Sequence, residues 1–314
     1  MIEISVVIPV YNEQDNVTTL YSLLSETLVK QGVSYEIVFV DDGSNDNTFK
    51  QIKSICVVDQ KVKVIKLSRN FGQSAALAAG FDNSCGKIVA TLDGDLQHHP
   101  KDIPCLLEKL KEGYGMVSGW RRKRKDNFLF RRLPSLIANK IIRFMFNVNL
   151  HDFGTTLRVC KREVLNDLEL FGELHRFIPV LISWQGVKVA EVAIESASRK
   201  SGKSSYGISR TLRVILDLVT VKFLCSYITR PLYFFGAVGM MFFSIGFLVA
   251  GLVAIGYYFF DLQINENLGN LIFSLMMIML GFQLIAIGLS MEISARIYHH
   301  TGKRKIYRIE KEYS

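Results

Sequence analysis

The chain opens on an unbroken run of apolar, mostly β-branched residues, Ile4–Val10 (ISVVIPV), closed by the polar Tyr11-Asn12-Glu13. A run of that length and composition predicts a strand buried on both faces. Asp15–Lys30 then places Val17, Leu20, Leu24 and Leu28 at the spacing of one helix face. The alternation repeats, with a strand at Glu36–Val40 ending in Asp41-Asp42-Gly43-Ser44, a helix at Thr48–Val58 and a strand at Val62–Leu67. An alanine-rich helix at Gln73–Asn83 follows, then a strand at Ile88–Leu92 ending in Asp93-Gly94-Asp95, a helix at Asp102–Glu112 and a strand-like Gly115–Ser118. Strands alternating with helices predict an α/β domain with a doubly wound, mostly parallel sheet. In such sheets ligands bind outside the carboxyl ends of the strands. Tyr11–Glu13, Asp41–Ser44 and Asp93–Asp95 all fall there.

Beyond Tyr206 the pattern changes. Ile208–Tyr227 is amphipathic, with Arg210, Arg213 and Lys222 among aliphatic and aromatic residues, as expected of a helix lying in a membrane interface. Leu232–Phe260 and Leu268–Met291 carry no charge, and each exceeds the roughly 20 residues that cross a bilayer as a helix. The linker Asp261–Asn267 has two acids and no base, whereas Arg210, Arg213, Lys222 and Arg230 precede the runs and Arg296, Lys303, Arg304, Lys305, Arg308 and Lys311 follow them. The positive-inside rule then puts both flanks in the cytoplasm and the linker outside. Met1-Ile2-Glu3 leads straight into the first strand with no basic segment or cleavage site, so the N-terminal domain is expected to stay where it is made. The organisation expected is a cytoplasmic domain over 1–206, juxtamembrane helices over 207–230, two transmembrane helices over 231–293 and a basic cytoplasmic tail over 294–314.

Composition agrees with this division. Of 314 residues, 49% are hydrophobic and the mean hydropathy is +0.22, more apolar than a soluble enzyme requires, and the excess sits in the last third. The net charge of +9 suits anionic membrane and phosphorylated substrates. Nucleic acid is not expected as a partner of a membrane-anchored chain. Cys56, Cys85, Cys105, Cys160 and Cys225 are odd in number and form no CxxC pair, so neither a disulfide framework nor a zinc site is indicated. Gly236, Gly239, Gly246 and Gly251 would let a helix pack closely on another copy, so a homo-oligomer is among the expectations.

The candidate chemistry is acidic first. Asp93-Gly94-Asp95 offers two hard oxygen ligands one residue apart, suited to Mg²⁺ or Mn²⁺, which completes its shell with water and substrate phosphates. Such an ion neutralises a departing nucleoside diphosphate. Asp41 and Asp42 can accept hydrogen bonds from a base N–H or ribose hydroxyls, and Gly43 permits a tight turn, while Asp46 is placed to cap the next helix. No GxGxxG or GxxxxGK[ST] loop occurs, which argues against a dinucleotide enzyme or a P-loop ATPase. His98, His99, Trp120 and Trp184 read as structural or surface residues, and the methionines at 276–279 as lipid-facing bulk.

With these residues in view, SVVIPVYNE (5–13), VDDGSNDNT (40–48), RNFGQ (69–73) and DGDLQHHP (93–100) resemble glycosyltransferase family 2, which has the GT-A fold. The likeness extends to its polyisoprenyl-phosphate glycosyltransferases and, with two C-terminal spans, covers nearly the whole chain. It implies inverting transfer of a sugar from a UDP- or GDP-sugar to a polyprenyl phosphate, in a bacterial inner membrane, with UDP-glucose and undecaprenyl phosphate the first expectation. It implies nucleoside contacts for Pro9, Tyr11 and Glu13 with Asp41 or Asp42, and diphosphate and metal contacts for Asp93 and Asp95. Gly119-x-Arg121-x-x-Arg124-x-Asp126 resembles the family's GxRxxRxD loop and would hold the lipid phosphate through Arg121 and Arg124. His151-Asp152-Phe153-Gly154 resembles the segment with the family's base carboxylate, here Asp152, although Leu157-Arg158 replaces the family's Phe-Arg. Because a phosphate monoester has a second pKa of ~6, Asp152 would orient the acceptor or take one residual proton. Arg199–Tyr206 (RKSGKSSY) resembles the basic loop before the membrane segment, with Arg199 and Lys203 as further phosphate ligands. Two rivals remain: a processive polysaccharide synthase, which lacks its QxxRW motif here, and a membrane scaffold that binds a nucleotide sugar without turning it over.

Overall fold

The computed structural model describes residues 2–122, 133–146, 148–166, 168–170, 172–195, 220–223, 231–260, 267–300 and 309–313. The chain divides into two compact units, Met1–Val221 with Lys305–Ser314, and Lys222–Arg304.

The first unit is built on one mixed sheet. Its strands are β1 Ile4–Val10, β2 Tyr35–Asp41, β3 Val62–Leu67, β4 Ile88–Thr91, β5 Met116–Arg121, β6 Arg158–Lys161, β7 Val189–Ile194 and β8 Ile309–Tyr313. The order across the sheet is β7-β5-β6-β4-β1-β2-β3-β8. β4, β1, β2 and β3 run parallel, as do β5 and β7, whereas β6 is antiparallel to β4 and β5, and β8 is antiparallel to β3. The carboxyl ends of β1, β2, β4 and β5 therefore share one edge, and the start of β6 joins them.

Helices α1 Val17–Lys30, α2 Thr48–Val58, α3 Gln73–Asn83 and α4 Ile103–Lys111 connect the early strands, and α5 Leu133–Phe146 and α6 Ile178–Trp184 come later. The heptad-like spacing of α1 is explained by its packing, since Val17, Leu20, Leu24 and Leu28 are fully buried. Each such leucine contributes about 1.5–3 kcal/mol. Val6, Ile8, Ile37 and Phe39 are equally buried, because β1 and β2 lie in the middle of the sheet. The edge of the sheet away from the polar clusters is fastened by Glu36, which accepts hydrogen bonds from Ser5 Oγ at 2.6 Å and Lys63 Nζ at 2.8 Å. Ser5 Oγ in turn accepts from the Gly86 amide at 2.7 Å.

The second unit is a helical hairpin, α7 Pro231–Phe260 and α8 Leu268–His300. Both helices are long and apolar enough to cross a membrane, with mean hydropathies of 2.4 and 2.3 over Pro231–Phe259 and Leu268–Ser294. A Cβ on Gly239 would stand 2.8 Å from the Gly281 carbonyl oxygen, and one on Gly246 2.8 Å from that of Ser274. These two glycines, expected to face another copy, are thus taken up by contact between α7 and α8.

The described residues add detail to the expected division: 220–221 group with the first unit, and the stretch 294–314 holds the end of α8 and, at Ile309–Tyr313, a strand of the sheet. β8 reads as a tail because only one side of it is covered: Tyr313 packs beside Phe49, ring centroids 6.0 Å apart, while Lys311 and Glu312 are exposed. The juxtamembrane helices of 207–230 lie outside the described residues, except for helical 220–223.

Candidate active site

The loops after β1 and β2 are knitted together by their own polar side chains. Asn12, at φ 55°, donates its amide to Ser44 Oγ at 2.9 Å, and the Asn45 amide donates to Asn12 Oδ1 at 2.9 Å. The Glu13 amide donates to Thr48 Oγ1 at 2.8 Å. Asp46 accepts from the Thr48 amide at 2.9 Å and so secures the start of α2, as expected of a capping residue. Tyr11 stands above this network and is 42% exposed, free to meet a ligand.

Asp41 and Asp42, equivalent in the sequence, differ in their surroundings. Asp42 uses both oxygens on backbone, accepting from the Phe71 amide at 2.7 Å and the Gly72 amide at 2.9 Å, and so pins the RNFG loop. Asp41 accepts from the Ser44 amide at 3.1 Å through Oδ1, while its buried Oδ2 has no hydrogen-bond partner among the described residues. Burial raises the pKa of both. An unsatisfied buried carboxylate oxygen at a strand end fits a ligand N–H or O–H, so Asp41 is the better placed of the two for a nucleoside.

At the end of β4, Asp93 Oδ1 accepts from Gln73 Nε2 at 2.7 Å, and Asp95 Oδ1 accepts from the Gln97 amide at 3.1 Å. Gly94 leaves room for its neighbours, because a Cβ there would lie 2.9 Å from Val10 Cγ1 and 3.4 Å from Glu13 Cγ. Burial, then the charge of Asp95, pushes the Asp93 pKa up to about 6. Crowded like charges on hard oxygen donors fit a divalent cation, which would relieve that repulsion. Among the described residues no group of three or more His, Cys, Asp or Glu side chains forms a full ligand set, so most of the shell would have to come from substrate and water. Pro9 lines a small cleft beneath Asp93 together with Gln73, Leu92, Thr156, Arg158 and His175.

The opposite side of the site joins β5 to the segment before β6. Asp152, 3% exposed, is gripped by Arg121 through Nε to Oδ2 at 2.7 Å and Nη2 to Oδ1 at 3.0 Å. The Gly154 amide adds a bond to Oδ1 at 3.0 Å. The two residues expected to act separately, one on the acceptor phosphate and one as base, are thus an ion pair. Arg124, Arg199 and Lys203 lie outside the described residues.

Sequence reasoning passed over several members of this cluster. Arg158, 3% exposed, donates Nη1 to the His175 carbonyl at 2.7 Å and Nη2 to that of Phe153 at 3.1 Å. Burial lowers its pKa to about 10, against the pull of Asp93 and Asp152. His98 is 3% exposed with no hydrogen-bond partner for Nδ1 among the described residues, and burial, with Arg121 nearby, lowers its pKa to about 4. His151 stacks on Trp120, centroids 4.5 Å apart at 21°, and its ring Nδ1 bonds Glu191 on β7. Only adjacency to the DGD and HDFG motifs could have flagged these histidines. Nothing in the sequence ties Glu191 to them.

Comparison with known proteins places the chain in a family. Residues 5–169 match the glycosyl transferase family 2 profile. The chain is 36% identical over 307 residues to a dodecaprenyl-phosphate galacturonate synthase of Rhizobium johnstonii, covering 95% of this chain and 89% of that protein. It is 35% identical over 311 residues to an undecaprenyl-phosphate 4-deoxy-4-formamido-L-arabinose transferase of Shewanella sediminis, covering 98% and 91%. Among solved structures, glucosyl-3-phosphoglycerate synthase of Mycobacterium tuberculosis in complex with Mn²⁺, UDP and phosphoglyceric acid matches with a TM-score of 0.54 at 20% identity, over 71% of this chain and 78% of that one. That likeness shows a shared fold.

Proposed function

The chain belongs to glycosyl transferase family 2 and is a glycosyltransferase with a GT-A-like sheet domain, and from that premise we propose that it transfers a sugar, with inversion, from a UDP-sugar to a polyprenyl phosphate. The observation that carries the reading is the facing of two groups across one sheet edge: the Asp93 and Asp95 carboxylates at the end of β4, and the Arg121–Asp152 pair at the end of β5. One side suits a leaving diphosphate and the other an incoming phosphate. The relatives named for polyprenyl-phosphate transfer, matched over nearly their full length, support the lipid acceptor.

In this reading Asp41 holds the nucleoside through its open oxygen and Tyr11 covers it, while Asp42 fixes the loop that carries Gln73 to Asp93. Asp95, helped by Asp93, would hold Mg²⁺ or Mn²⁺, which neutralises the departing UDP when bound. Arg121, with Arg124, Arg199 and Lys203, binds the acceptor phosphate, and Asp152 sets the angle of the Arg121 fork. The phosphate oxygen then attacks the anomeric carbon from the face opposite the leaving group. The two apolar helices, their basic flanks and the return of β8 to the sheet support an inner-membrane protein with its sheet domain and both termini in the cytoplasm.

The test is transfer of radiolabelled sugar to undecaprenyl phosphate in detergent. The donors would be UDP-glucose, the UDP forms of galacturonate and 4-formamido-arabinose, and GDP-mannose, with Mg²⁺ or Mn²⁺ and an EDTA control. A single UDP donor giving a metal-dependent, organic-extractable product is expected. Asp95→Ala should lower turnover at least ~100-fold with unchanged melting. Nucleotide-sugar binding without product from any donor would favour the scaffold reading instead.

A further inference from the structure

We propose that His151 and Glu191 form the proton-handling pair for the acceptor phosphate, an inference that rests on the acceptor assignment above. Asp152 is poorly placed for that task, because both its oxygens are occupied by the Arg121 fork. The neighbouring histidine has the opposite character. Its backbone amide donates to Glu191 Oε2 at 2.6 Å, its ring Nδ1 bonds the other oxygen of the same carboxylate, and its ring lies against Trp120. Asn139 on α5 donates to the His151 carbonyl at 2.8 Å and holds the loop from the other side. The imidazole is fixed in place but 48% exposed, and Nε2 has no hydrogen bond among the described residues.

A carboxylate that accepts the Nδ1 proton selects the tautomer whose Nε2 lone pair points outward. A polyprenyl phosphate carries its second proton with a pKa of ~6, so below neutral pH much of it still holds a proton that the outward Nε2 can accept. In the step inferred, the phosphate O–H bond breaks as Nε2–H forms. The electron pair left on the oxygen makes the new bond to the anomeric carbon. The bond from that carbon to UDP breaks, its electrons leaving with the diphosphate, and the proton passes from Nε2 to solvent. The charged groups on the elements that hold the ring are Glu191 on β7, Arg121 and Arg122 at the end of β5, Asp152 beside it, and Arg143 on α5. Arg121 and Asp152 bond each other, Arg122 lies 5.9 Å from the Trp120 ring centroid, and Arg143 bonds the Leu150 carbonyl.

The experiment is kcat/KM for undecaprenyl phosphate with the full chain in detergent, from about pH 5.5 to about pH 8.5, where the phosphate goes from mostly monoanion to dianion. His151→Gln is expected to lose about fourfold near pH 5.5, where only about a quarter of the phosphate is already dianion, and to come within about twofold of the unmodified protein near pH 8.5. Glu191→Gln, which keeps the residue's size, should show the same pH-dependent deficit, and added imidazole should restore part of the rate of His151→Ala near pH 6. A deficit constant across the pH range would mean that the pair only packs the loop, and overturns the inference alone. An unmodified enzyme that makes no lipid-linked product overturns the acceptor assignment, and this inference with it.

Discussion

Gly43 has φ +73°, and a Cβ there would meet the Arg69 carbonyl carbon at 2.5 Å and the Asn70 nitrogen at 2.7 Å. Left-handed backbone costs an L-residue ~1–2 kcal/mol, and here the obstacle is backbone that cannot rotate aside. Gly43→Ala is therefore expected to destabilise the sheet domain by more than about 2 kcal/mol, a fall in melting temperature of roughly 4–8 °C, and to weaken UDP binding by moving Asp41. His98 makes a different prediction. Its folded pKa of about 4 lies below the ~6.5 of the unfolded chain, so the unfolded state binds more protons between those values. Its contribution is complete above ~6.5 and is lost as the pH falls toward about 4, amounting to about 2 kcal/mol between pH 7 and pH 5. His98→Gln should flatten that part of the curve of urea midpoint against pH. The acids of the site were legible in the sequence because Asp41, Asp42, Asp93 and Asp95 end apolar strands. The division of labour between Asp41 and Asp42 was not, since it depends on which one meets the amides of Phe71 and Gly72. Nor was the Arg121–Asp152 pair, whose members end β5 and lie in the segment before β6, and meet only when β5 and β6 align.

Glu36 closes the far edge of β1, β2 and β3. Burial pushes its pKa up, but hydrogen bonds from Lys63 and Ser5 push it further down, so it remains ionised. Glu36→Ala strips Lys63 and Ser5 of their partner and should cost about 3 kcal/mol in chemical denaturation. It should leave the KM for donor sugar unchanged, because the site lies at the opposite strand ends. The alternation over β1–β4 and α1–α4 could be read directly, since these strands are short and largely apolar and α1, α2 and α4 each bury one face. β6, Arg158–Lys161, hides because a four-residue strand with a cation at each end has no period to detect. β8 hides because IEKEY is mostly charged, as befits an exposed edge.

The division into a sheet unit and an apolar hairpin follows from hydropathy alone, and its orientation can be tested directly. In a background stripped of the native cysteines, Gln263→Cys between the two helices should react with a membrane-impermeant maleimide on intact cells. Lys303→Cys should react only after permeabilisation. The reverse pattern would overturn the cytoplasmic assignment. The return of β8 to β3 also sets an order in time. β3 emerges from the ribosome early, but its outer neighbour is the last strand made, after both apolar helices have been synthesised. Until then one border of the sheet stays open, with unpaired amides and carbonyls of the kind that recruit other chains. On the topology proposed above, a chain whose hairpin crosses the membrane and returns would bring β8 back to the side of β3, so closure of the sheet would follow completed insertion.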